Sequence, residues 1–158
     1  MRLDLSSFVF GRRLFAAGLE IWYPLPPAMK IEHVAFNVAD PIAMAKWYET
    51  HLAMRTVRSA GPPTHTRFLA DANGEMMIEI YRHPKASVPE YREIDPLVLH
   101  VAFAAGDVRA TRARLLQAGC TAEGEISATD SGDELAMLRD PWGLAIQIVK
   151  RRTPMLPM

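Results

Sequence analysis

From residue 30 onward the apolar positions fall into short runs whose period alternates between two and about 3.6. Residues 31–38 (IEHVAFNV) are β-branched and aromatic, which predicts a strand. Asp40-Pro41 then supplies a helix N-cap followed by proline at the first helical position. Ile42, Ala45, Tyr48 and Leu52 follow at spacings that suit one helix face. Residues 54–59 (MRTVRS) predict a second strand, Gly61-Pro62-Pro63 a turn, and 65–71 (HTRFLAD) a third strand. Ala72-Asn73-Gly74 reads as a hairpin turn into a fourth strand at 75–82 (EMMIEIYR).

After a loop at 83–96 the same order begins again. Residues 97–105 (LVLHVAFAA) predict a strand, and Asp107 caps a helix whose Val108, Thr111, Leu115 and Ala118 share a face. Gly119 ends that helix. A weaker strand at 120–126, a better one at 134–139, the turn Asp140-Pro141-Trp142-Gly143 and a last strand at 144–150 complete the unit. The tetrapeptide HVAF opens both halves, at His33 and at His100, 67 positions apart (100 − 33). Asp40 and Asp107 are also 67 apart, and Glu79 and Gln147 are 68 apart, so one net insertion separates two whole modules. The expected fold class is α+β: two βαβββ modules whose curved mixed sheets surround an open cleft. Module one spans 30–82, the linker 83–96 and module two 97–151, with a poorly ordered extension expected at 1–29 and a tail at 152–158. In the extension, the paired Arg12-Arg13 before LFAAG faintly resembles a twin-arginine export signal. Glu20 and the prolines 24, 26 and 27 interrupt the apolar run such a signal needs.

Each module places a histidine in its first strand and a polar residue in its last. Alternate side chains along a strand share a face, so His33 lies with Ala35 and Asn37, and Glu79 with Met77 and Tyr81. Glu79 stands between Ile78 and Ile80, and Gln147 between Ile146 and Ile148. A charge in an apolar strand costs several kcal/mol to bury unless it is paired or bound to metal. His33, Glu79, His100 and Gln147 are two nitrogen and two oxygen donors related by a pseudo-twofold, a set suited to nickel, zinc, iron, cobalt or manganese.

Paired βαβββ modules with donors on their first and last strands resemble the vicinal oxygen chelate superfamily. That group includes glyoxalase I, methylmalonyl-CoA epimerase, extradiol dioxygenases and the fosfomycin- and bleomycin-resistance proteins. The resemblance covers roughly residues 30 to 150. The closing DPWGLAIQIVK is similar to the family's DP-x-G-x-x-I-E-[LI], with Gln147 where glutamate is commonest. The resemblance implies a divalent metal ion held by His33, Glu79, His100 and Gln147. The family's glyoxalases usually show His or Gln, Glu, His and Glu, and its epimerases His, Gln, His and Glu. Exchanging the two modules here reproduces the epimerase donor count. The expected activity is therefore that of a metal-dependent lyase or isomerase on a small vicinal-oxygen substrate, with Glu79 as the catalytic carboxylate for proton transfer. Two histidines and one carboxylate also satisfy an iron-dependent extradiol-type dioxygenase. A ligand-sequestering protein of the bleomycin-resistance type is the non-enzymatic alternative.

Composition removes other classes. Lys plus Arg and Asp plus Glu are each 18, so no electrostatic footprint for nucleic acid exists, and no apolar run approaches a membrane span. The single cysteine, Cys120, cannot close an intrachain disulfide, which fits the cytoplasm, and it has no evident activating partner. The expected partners are a small-molecule substrate and a second copy in a homodimer. His51, His65 and His83 fall near element ends and read as surface residues. Met76, Met77, Phe68 and Trp142 read as core or pocket lining, and Arg109, Arg112 and Arg114 as the solvated face of a helix.

Overall fold

The structure, a computed structural model, describes residues 11–16, 19–24 and 29–155. It divides into two units, residues 1–32 and 33–158. In the first, β1 (Gly11–Ala16) and β2 (Leu19–Pro24) pair antiparallel from Gly11↔Pro24 to Ala16↔Leu19. The sequence pattern assigned no element there. Parts of the expected extension and tail (residues 1–10, 17–18, 25–28 and 156–158) lie outside the described residues.

The second unit contains both modules, each with its own four-stranded mixed sheet. Module one comprises β3 (His33–Asn37), α1 (Pro41–Leu52), β4 (Arg55–Ser59), β5 (Arg67–Ala70) and β6 (Met77–Tyr81), with sheet order β3-β6-β5-β4. Module two comprises β7 (Val101–Ala104), α2 (Val108–Gln117), β8 (Thr121–Ala128), β9 (Glu134–Arg139) and β10 (Ala145–Lys150), with the matching order β7-β10-β9-β8. First and last strands pair in parallel in both sheets, and the remaining pairs are antiparallel. The duplication read from sequence is thus a duplication of topology.

Local chemistry explains most of the element boundaries. Asp40 Oδ1 accepts from the Ile42 and Ala43 amides and Asp107 Oδ1 from Ala110, so both expected caps form. The buried face of α1 is Pro41, Met44, Ala45 and Tyr48, whereas Ile42 is 49% exposed. Ala45 and Tyr48 are buried as expected, but Met44 rather than Ile42 joins the core cluster with them. The strand expected at 97–105 starts only at Val101. Asp95 takes the Leu97 amide on its side chain and the Val98 and Leu99 amides on its carbonyl, coiling 95–99 into a turn.

Helix α1 packs against its own sheet and also against module two. The Tyr48 hydroxyl donates to Asp140 Oδ2 at 2.8 Å, with both side chains buried, and Trp47 Nε1 donates to the Ala118 carbonyl at the end of α2. Tyr48 also meets Phe103 edge-on, and Arg114 of α2 donates to the His51 carbonyl. The helix-bearing sides of the two sheets therefore face one another. The linker is tied across this contact. Asn37 holds the His83 amide and the Ala86 and Ser87 carbonyls, and Tyr91 donates its hydroxyl to the Asn37 carbonyl. Buried Arg139 grips the carbonyls of Tyr91, Ile94 and Gly143 and pairs with Glu123.

Asp140 caps its own turn by accepting the Trp142 and Leu144 amides. Burial pushes its carboxyl up to about 6, against the lowering effect of these donors and of Tyr48. The fold therefore favours the protonated form. That stabilisation is complete below the ordinary value of 3.8 and is lost as pH rises through about 6. Asp140→Asn keeps an acceptor for both amides and cannot ionise. Across that range the parent should lose about 3 kcal/mol of unfolding free energy relative to Asp140→Asn. Urea unfolding of both proteins at a series of pH values measures the difference, and parallel curves would show that folding does not shift the Asp140 pKa.

Candidate functional site

Paired residues on neighbouring strands project to the same side of a sheet, so the registers define two rows on one face of module one. Ala35, Glu79, Phe68 and Arg58 form one row, and His33, Met77, Ala70 and Arg55 the next. The opposite face, with Phe36, Leu69, Ile78 and Ile80, is buried under α1. His33 Nε2 stands 3.4 Å from Glu79 Oε2, with side-chain exposures of 34% and 21%. Phe68 meets the His33 ring edge-on at 5.5 Å. A histidine and a carboxylate are thus adjacent on an open, partly apolar face, as the strand spacing predicts.

Module two repeats the row as Ala102, Gln147, Met137 and Glu123. Gln147 is half-buried, and its neighbours Ile146 and Ile148 point the other way into the core under α2. His100 precedes β7 and continues the alternation of Ala102. Its Nδ1 lies 2.7 Å from the Pro96 carbonyl. A carbonyl only accepts, so Nδ1 carries the proton and Nε2 of the neutral ring keeps its lone pair for a metal or a hydrogen bond.

The structure brings together His33 with Glu79, and places His100 and Gln147 on the matching face of the other sheet. His33 with Glu79 and His100 with Gln147 thus form separate pairs, one on each sheet. Among the described residues no group of three or more His, Cys, Asp or Glu is close enough to hold a metal ion. A cleft of about 630 Å³ does lie between the modules, lined by Val34, Phe36, Met76, Met77, Phe103 and His100. Val34 and Phe36 come to this cleft from the helix-bearing side of β3, and Met77 and His100 come to it from the donor rows. Met76 and Met77 line it, as expected of them, whereas Phe68 stands beside His33 and Trp142 packs near Trp47. Cys120 is buried and its thiol is pushed up to about 12, chiefly by burial, which leaves it inert.

Residues 30–148 match the family model described as the glyoxalase/bleomycin resistance protein/dioxygenase superfamily. The chain belongs to that superfamily. Its fold is similar to that of a glyoxalase family protein from Enterococcus faecalis (25% identity, TM-score 0.59, covering 76% of this chain and 96% of the other). TnmS3, an antibiotic binding protein from a Streptomyces species, aligns at 18% identity and TM-score 0.63 over 80% and 99% of the two chains. A glyoxalase I mutant from Zea mays aligns at 20% identity and TM-score 0.64 over 78% of this chain and 46% of that one. A search of curated proteins returned no match.

Sequence reasoning passed over Arg55 and Arg58. They are three positions apart, so strict alternation assigns them to opposite faces. A register shift between Thr56 and Arg58 turns both to the side of His33 and Glu79. The His100 tautomer can be tested directly. Long-range proton–nitrogen correlation spectra, recorded where His100 is neutral, should show Nδ1 as the protonated nitrogen and Nε2 as the bare one. The reverse pattern would detach His100 from the Pro96 carbonyl.

Proposed function

We propose that the protein is a metal-dependent lyase or isomerase of the glyoxalase or epimerase type. Its substrate is a small molecule with two vicinal oxygens, and its site is completed by a second copy of the chain. The observation that supports this reading is the His33–Glu79 pair on the open face of one sheet. Its counterparts, His100 and Gln147, occupy the corresponding face of the other. Two imidazoles, one carboxylate and one amide suit nickel, zinc, iron, cobalt or manganese. One chain offers them in two separate pairs, so His33 and Glu79 of one copy would join His100 and Gln147 of another in a homodimer. When bound, the metal ion supplies Lewis acidity toward the substrate oxygens. Glu79 is the only carboxylate in the set and accepts or returns the proton, held in place by His33. Phe68 restricts the His33 ring from the side and excludes water there. A lone cysteine suits the cytoplasm as the working compartment, and none of the described helices is long and apolar enough to cross a membrane.

A second reading is sequestration without turnover, favoured by the amide of Gln147 where a carboxylate would bind metal more strongly. Two experiments decide between the readings. His33→Ala and His100→Ala should each lose stoichiometric metal binding while remaining folded and dimeric. Mixing and reassociating the two variants should restore about one site in four, because mixed dimers retain one site with every donor intact. Metal analysis after mixing reads this directly. No restoration places all four donors of a site in a single chain, and unchanged metal in either variant removes that histidine from the site.

The other experiment concerns Gln147. Gln147→Glu adds one negative charge to the donor set, and should tighten divalent metal binding about ten- to hundredfold. The same charge should weaken binding of an anionic bidentate probe such as acetohydroxamate. Calorimetric titration of metal and then hydroxamate into both proteins separates the two effects. Hydroxamate binding that is equal or tighter in the glutamate variant contradicts the charge role, and a parent that takes no metal but binds ligand supports sequestration.

A further inference from the structure

The two modules match column by column across their donor faces until the outermost strand. There module one carries Arg58, after Ala35, Glu79 and Phe68, where module two carries Glu123, after Ala102, Gln147 and Met137. Glu123 is neutralised by buried Arg139, so that end of module two is closed. Arg58 is exposed, as is Arg55 in the next row, and neither makes an ion pair with a described residue. The register shift after Thr56 is what puts both on this face, and the Thr56 amide is held there by Glu49 Oε1. The Arg55 guanidinium rests near Gly74 in the β5–β6 turn, which leaves Arg58 beside Phe68.

We infer that Arg58, assisted by the field of Arg55, is the specificity determinant for an anionic ligand end on the His33–Glu79 face. Two strand spacings, about 10 Å, separate the β4 and β6 backbones, with half-buried Phe68 between them. The ligand class that fits is an elongated carboxylate with an apolar or aromatic middle. Its oxygenated end would reach Glu79 and its carboxylate Arg58, whose guanidinium matches a carboxylate in two hydrogen bonds. This rests on the proposed function for the choice of face, but the anion contact itself needs no metal.

Phenylpropionate and its uncharged amide, titrated into the metal-free full-length protein by NMR, test the inference. The parent should bind the carboxylate about fivefold more tightly than the amide, with the preference shrinking as salt is added. Arg58→Ala and Arg58→Gln should both erase the preference, and Arg55→Ala should reduce it. Phe68→Ala should weaken both probes alike. Equal binding of the two probes, no binding of either, or a preference that survives both Arg58 variants overturns it. A metal titration of the same preparation reads the metal site separately: a protein that takes no metal yet prefers the carboxylate keeps the arginine contact and loses the lyase or isomerase reading.

Discussion

The hydrogen bond from the Tyr48 hydroxyl to Asp140 joins the helix of one module to the β9–β10 turn of the other inside the core. An unpaired carboxylate there would cost several kcal/mol, so Tyr48, the turn amides and α1 must keep their places together. Trp47 on Ala118 and Arg139 on the linker carbonyls fix the same geometry from either side. The consequence is large for so local a contact. With the helix-bearing sides held against each other, His33 with Glu79 and His100 with Gln147 remain two separate pairs.

Duplication gave the chain two copies of one scaffold, and the two copies differ in charge at matching positions of their donor faces. The columns Ala35/Ala102 and Phe68/Met137 stay apolar and shape similar floors. The columns Glu79/Gln147 and Arg58/Glu123 differ in charge. In the proposed function Glu79 is the acid–base group, and the amide of Gln147 lowers the negative charge of the proposed donor set. Arg58 leaves an exposed cation on one face, while Arg139 consumes the charge of Glu123 on the other. A site built from one face of each kind is polar along its length, which a symmetric pair could not be.

Much of the fold was legible because its signals are local. Asp40-Pro41 and Asp107 cap helices by hydrogen bonds within three residues, and the alternation around Glu79 and Gln147 needs only the pleat. The misplaced features arose where a distant or irregular contact prevailed. Asp95 coiled residues that look like strand, the sheet chose Met44 over Ile42, and one extra residue in β4 moved Arg58 across the sheet. The matching positions of His33 and His100 and of Glu79 and Gln147 were readable from the repeat, but their separation into two pairs was not.

The sequence by itself determined the two βαβββ modules, their register with each other and the residue types at each donor position. These follow from periodicity, capping and repetition, which act over a few residues or between identical patterns. Only the tertiary structure decided which faces the modules turn to one another. That choice depends on Tyr48 finding Asp140 across 92 positions and Arg139 finding the linker carbonyls, contacts between residues whose own neighbourhoods give no sign of the partner. It also decided that Arg55 and Arg58 share a face, because a bulge forms only when a neighbouring strand sets the ladder it interrupts.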